Sequence, residues 1–97
     1  MHVIENKNKE SSNNDDGLIE LLAERTTRKI ISFIQDRPVA ISDIAKNCNL
    51  SANLVYRRVH ELESLCMLYV SGDIGANGKK KYFYQSKIRL YSEFYKR

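Results

Sequence analysis

Long apolar runs are missing from this sequence. None reaches the ~20 residues that a membrane-spanning helix requires, so no membrane span is expected. Cysteine is scarce as well. Cys48 and Cys66 are too few for a disulfide framework, and two isolated thiols fit a reducing compartment, where such residues usually fill small core spaces. Residues 1–17 lack the apolar stretch of a signal peptide, so the reading is cytoplasmic rather than secreted. Histidine occurs only at His2 and His60, and neither has a second histidine at helical spacing. The chain also lacks a glycine-rich phosphate loop and a nucleophile elbow. Catalysis is therefore not expected. Cys48, Cys66 and His60 have no recognised ligand spacing, so neither a metal site nor a cofactor is expected.

What is present fits one small domain. The chain has 97 residues, 42% of them hydrophobic and 29% charged, as in an ordinary globular protein with one modest core. Its net charge of +4 is unevenly placed. Residues 1–17 carry −2 and residues 18–78 balance to zero, so residues 79–97 hold +6. A basic surplus confined to the last fifth of the chain fits an anionic partner, nucleic acid first among them, and equally a solvated surface.

Residues 1–17 are rich in Asn, Ser, Lys and Asp and read as a disordered leader. Residues 18–36 carry two apolar clusters at helical spacing, Leu18, Ile19, Leu21, Leu22 and then Ile30, Ile31, Phe33, Ile34. One long helix or two shorter ones fit equally, with Thr26 or Thr27 as the N-cap of a second. Pro38 ends the segment, because the residue before proline is pushed out of the helical region. Val39, Ala40 and Ile41 form a short β-prone run. Ser42 then reads as an N-cap, and Ile44, Ala45 and Cys48 give the next helix its apolar face. Asn49 suits a left-handed turn, Leu50 points inward, and Ser51 caps a third helix over residues 52–65. On that helix Val55, Val59, Leu62 and Cys66 share a narrow arc, while Asn53, Arg57, His60 and Ser64 lie opposite. A hairpin follows, Leu68–Ser71 against Lys81–Tyr84, with Asn77-Gly78 as the turn signal and Lys79, Lys80 and Lys81 just after it. Residues 87–97 fit either a helix or a strand.

Two short helices joined by a tight turn, the second with a polar outer face, are a helix-turn-helix. A hairpin with a cationic tip directly behind it is the wing of a winged helix. The expected fold class is therefore mainly α with a small β-hairpin, a winged helix-turn-helix over residues 18–86. In this stretch the chain resembles the ArsR-like winged helix-turn-helix regulators, particularly the small archaeal-type ones. The residues carrying the resemblance are Leu21-Leu22, Thr27-Arg28-Lys29-Ile30-Ile31, Ile44-Ala45-Lys46, Leu50-Ser51, Val55-Tyr56-Arg57-Arg58-Val59, Leu62-Glu63 and Lys80-Lys81-Tyr82-Phe83-Tyr84. The chain departs from the pattern where Asn49 and Cys66 replace glycine. The paired cysteines of the family's metal sensors are absent, since the corresponding stretch reads His60-Glu61-Leu62-Glu63.

The resemblance implies transcriptional regulation through double-stranded DNA. On that expectation the helix over 52–65 enters the major groove, a space ~12 Å wide that admits one α-helix. Asn53 and Arg57 are the expected readers of base edges. Ser51, Lys46, Tyr56 and the wing over 72–81, with Lys79, Lys80 and Lys81, are expected on phosphates. Arg58 and His60 complete the expected DNA-binding set, although Arg58 leans toward the core side of its helix. Six of the nine aromatics lie in residues 82–97, which suggests a homodimer held by residues 18–34 and 87–97. The alternative reading is a winged-helix module that binds protein through its aromatic tail.

Overall fold

The computed structural model describes residues 16–90. The chain opens with α1, helical over residues 16–23, so residues 16 and 17 belong to this helix and not to the leader. The choice between one helix and two is resolved at Glu24. Its backbone is extended, φ −84° and ψ 132°, and α2 then runs over Arg25–Ile34. Glu24 is the N-cap position, in place of the expected Thr26 or Thr27. Thr27 sits fully buried in the first turn and donates its hydroxyl to Glu24 Oε1 at 3.3 Å. Across the break, Arg28 Nη1 donates to the Leu22 carbonyl at 2.8 Å, which satisfies an acceptor at the end of α1.

α2 buries Thr27, Ile30, Ile31 and Ile34, one stripe at i, i+3, i+4 and i+7. Past Pro38, Val39 forms an isolated antiparallel bridge to Tyr84, exchanging hydrogen bonds of 2.9 and 2.8 Å. The β-prone run thus touches the hairpin at one residue only. α3 spans Ile41–Cys48. Its N-cap is Ala40, not Ser42: the extended Ala40 leaves its carbonyl to accept from Asp43 and Ile44 at 3.1 and 3.0 Å. Asn49 ends the helix in the left-handed region at φ 58°, as its short polar side chain allows.

α4 covers Ala52–Ser64 and is capped by Ser51, whose hydroxyl accepts from the Leu54 N–H at 3.2 Å. Val55, Val59 and Leu62 are fully buried beneath it. Cys66 does not join them. The helix stops at Ser64, Cys66 takes φ 62°, and the reversal turns its side chain out to solvent. The resemblance places glycine at both left-handed positions, Asn49 and Cys66.

β1, Leu68–Ile74, pairs antiparallel with β2, Lys80–Ser86, in the register Leu68↔Ser86 through Ile74↔Lys80. Both strands exceed the expected lengths. Residues 72–74, 80 and 85–86 join the ladder because the register continues, although Gly72 and Asp73 have little β-propensity. Gly78 closes the turn at φ 81° and donates to the Gly75 carbonyl at 2.9 Å.

One core gathers α2, α3, α4 and the hairpin base around Ile30, Ile31, Ile34, Ile44, Val55, Val59 and Leu62. Each such side chain contributes roughly 1.5–3 kcal/mol by leaving water. Beyond β2, residues 88–90 form neither helix nor strand. They turn back on the domain. The Lys87 N–H donates to the Met67 carbonyl and the Leu90 N–H to Gln35 Oε1, both at 2.9 Å. Ile88 and Leu90 pack against the domain's own core, so these two tail residues do find core to enter. Residues 91–97, with the tail aromatics Tyr91, Phe94 and Tyr95, lie outside the described residues. Three helices closing on an antiparallel hairpin, with α3, turn and α4 in succession, make a winged helix-turn-helix.

Candidate nucleic-acid interface

The polar face of α4 is available because its apolar face is fully occupied. Val55, Val59 and Leu62 point into the core, which leaves Asn53, Tyr56, Arg57 and His60 exposed along the opposite side. The Asn53 and Arg57 side chains make no hydrogen bond or ion pair among the described residues. Tyr56 is 56% exposed and lies against His60, ring centroids 4.2 Å apart. His60 Nδ1 is 3.2 Å from Glu63 Oε1, so this ring is held on both sides. Lys46 is exposed on α3. Ser51 is exposed too, but its hydroxyl is already engaged as the cap.

Arg58 is different. It is expected with the contact residues, yet its side chain is only 18% exposed and turns toward the α1–α2 break. Its Nη1 donates to Glu61 Oε1 at 3.0 Å. Its Nε lies 2.8 Å from Glu24 Oε1, an ion contact without the alignment of a hydrogen bond.

The three wing lysines separate. Strand alternation sends Lys80 and Lys81 to opposite faces of the hairpin, while Lys79 belongs to the turn. Lys80 Nζ sits 5.7 Å from the Tyr82 ring centroid, and Lys81 Nζ sits 5.8 Å from that of Phe83. All three ammonium groups remain exposed. An open crevice of about 270 Å³ lies between the wing and Tyr56 of α4, floored by the start of α3 and lined by Lys80, Lys81, Tyr82 and Tyr84. Ser42 and Tyr82 line it, although sequence reasoning singled out neither as a contact. The signal for Tyr82 was there: period two from the buried Tyr84 puts Tyr82 and Lys80 on one face. Burial pushes the Tyr84 hydroxyl above its ordinary pKa, and the nearby Glu63, Tyr56 and Tyr82 add to the shift.

The two cysteines differ in their surroundings. Cys48 is 3% exposed, and burial raises its thiol pKa against a smaller opposing pull from Lys29. Cys66 is exposed, so Cys48 and Cys66 do not share the core as expected. Among the described residues no three His, Cys, Asp or Glu side chains group as a metal would require, and no helix is long and apolar enough to cross a membrane.

No family model matches the chain, and no curated protein does. Solved structures do. The chain is similar to NolR from Sinorhizobium fredii, with a TM-score of 0.64 and 16% identity over 84% of this chain and 77% of that one. It is also similar to a possible transcriptional regulator from Methanosarcina mazei Go1, with a TM-score of 0.60 and 20% identity over 84% of this chain and 70% of that one. At such identities the likeness establishes the shared winged-helix fold.

Proposed function

We propose that this chain is a sequence-specific, double-stranded DNA-binding transcriptional regulator of the ArsR-like, archaeal type. The observation that carries the reading is the outer face of α4. It presents Asn53 and Arg57 with uncommitted side chains on a helix whose other face is locked into the core. α4 enters the major groove, where the Asn53 amide suits adenine and the Arg57 guanidinium suits guanine. Lys46, Tyr56, His60 and the Ser51 end of α4 face the backbone on one side, and Lys79, Lys80 and Lys81 reach phosphates from the wing. The role is not enzymatic, and it belongs in the cytoplasm. The similarity to a possible transcriptional regulator supports this reading.

Two copies acting together give the reading its geometry. One recognition helix covers a few base pairs, and two spaced about 34 Å apart read half-sites one turn apart. The homodimer is proposed through residues 18–34 and 87–97, without Ile88 and Leu90, which pack on the domain's own core. Ile19, 64% exposed on α1, is an apolar side chain available to such a contact. Selection of bound duplexes from a random pool at fixed salt tests the whole reading. An enriched two-fold site is expected. Retention without enrichment would remove sequence specificity, and no retention would remove DNA binding.

A further inference from the structure

The polar face of α4 explains Asn53 and Arg57 but leaves Arg58 without a role. Its long cation is mostly covered and aimed away from the groove-facing side. It reaches Glu61 on its own helix and Glu24, which is 34 positions earlier and belongs to the α1–α2 break. Glu24 is not a free surface carboxylate. It holds the N-cap position of α2, and its Oε1 accepts the hydroxyl of the fully buried Thr27. The break is pinned a second time by Arg28 on the Leu22 carbonyl. The Glu24 carboxylate is therefore fixed to α2, and through it Arg58 meets a fixed point.

We propose that Arg58 is a positioning residue: its guanidinium ties the recognition helix to the α1–α2 break through Glu24 and so sets the orientation of α4 toward DNA. The proposal rests on the DNA-binding reading above. A guanidinium suits the task because its planar fork serves two carboxylates at once, which a lysine ammonium on a flexible stem does not. The Arg58 side chain is mostly covered, although the Glu24 carboxylate it meets is half exposed, so salt screens the pair only from the Glu24 side. The tie thereby joins the start of α2 to the DNA-facing helix.

The sign of one substitution separates this from the alternatives. Glu24→Gln removes a negative charge, and on electrostatic grounds alone it should strengthen DNA binding. The tie predicts the reverse. Glu24→Gln and Arg58→Met should each weaken binding to the selected duplex about fivefold, the low end of couplings between linked sites. The double variant should lose no more than either single one. Arg58→Lys should not restore affinity. The slope of log K against log[salt] should stay at the wild-type value in all of them, measured well below their melting temperatures. Three results overturn the tie: tighter binding by Glu24→Gln, additive losses, or a slope flattened by about 0.9 in Arg58→Met, which marks a phosphate contact. A second measurement needs no DNA. Residual dipolar couplings should show α4 reoriented relative to α2 in Glu24→Gln, and an unchanged orientation also overturns the tie. If α4 reorients and the wild type binds no duplex, the functional reading fails while the tie to α4 stands.

Discussion

Replacing Cys66 with glycine isolates a single backbone effect. Cys66 sits at φ 62° just beyond α4, with its side chain exposed. A residue with a Cβ pays roughly 1–2 kcal/mol for the left-handed conformation, and glycine does not. Glycine gives back ~0.4–1 kcal/mol through the greater freedom of the unfolded chain. The exposed side chain surrenders almost no buried area, so the difference is a net stabilisation of up to about 1.6 kcal/mol, centred on about 0.8 kcal/mol. For a domain of this size that raises Tm by about 2–8 °C. Cys66→Ala keeps the Cβ and should stay within ~0.5 kcal/mol of wild type. Asn49→Gly should also change little, because asparagine tolerates φ 58°. Paired urea and thermal melts of the three variants check the reasoning. If Cys66→Gly is no more stable than Cys66→Ala, the account of the turn after α4 is refuted.

Arg57→Ala should cost roughly 1–3 kcal/mol on the selected duplex and much less on random DNA, as anisotropy titrations of both would show; equal losses would reassign Arg57 to a phosphate. Changing Lys79, Lys80 and Lys81 to Ala should flatten the salt slope by up to about 0.9 for each phosphate released, while sparing base preference. Cys48 and Tyr84 are both held above their ordinary values of 9.0 and 10.0 by burial. A raised folded-state pKa favours the neutral group, so its contribution is whole below pH 9.0 and is lost as the pH climbs through the folded values. Urea midpoints measured across this alkaline range should therefore fall, and a flat profile would contradict the burial of both groups. In a timed reaction with a bulky thiol reagent, exposed Cys66 should be modified before buried Cys48.

Where the sequence was legible, the governing forces were local. Ser51 reads as a cap because its hydroxyl serves a backbone N–H three residues on, and Val55, Val59 and Leu62 read as core because helical spacing aligns them. Asn49 reads as a turn because few residues adopt its conformation. Illegibility began where distant contacts decided. Cys66 continues the apolar arc on paper, but the helix ends two residues earlier. Ser42 is a better cap than Ala40 by residue type. The chain geometry set by the Val39–Tyr84 bridge nonetheless starts α3 at Ile41. The outer strand residues pair because the hairpin register carries them, not because Gly72 or Asp73 favour a strand. Periodicity alone gave the exposure of Asn53 and Arg57 and the inward lean of Arg58. The partner of Arg58 was not legible, since nothing in its neighbourhood of sequence announces Glu24.

The central claim is that α4 and the wing hold DNA, and the salt dependence of binding tests it most directly. Lys46, Lys79, Lys80 and Lys81 are the exposed cations assigned to phosphates. Four such cations give a slope of about −3.6 in log K against log[salt] for each protomer. Anisotropy of a labelled duplex should then show affinity falling about 150-fold for each bound protomer between about 50 and 200 mM salt, on the order of 20,000-fold for the dimer on its two-fold site. Binding that is absent at low salt, or that ignores salt over this range, contradicts the account.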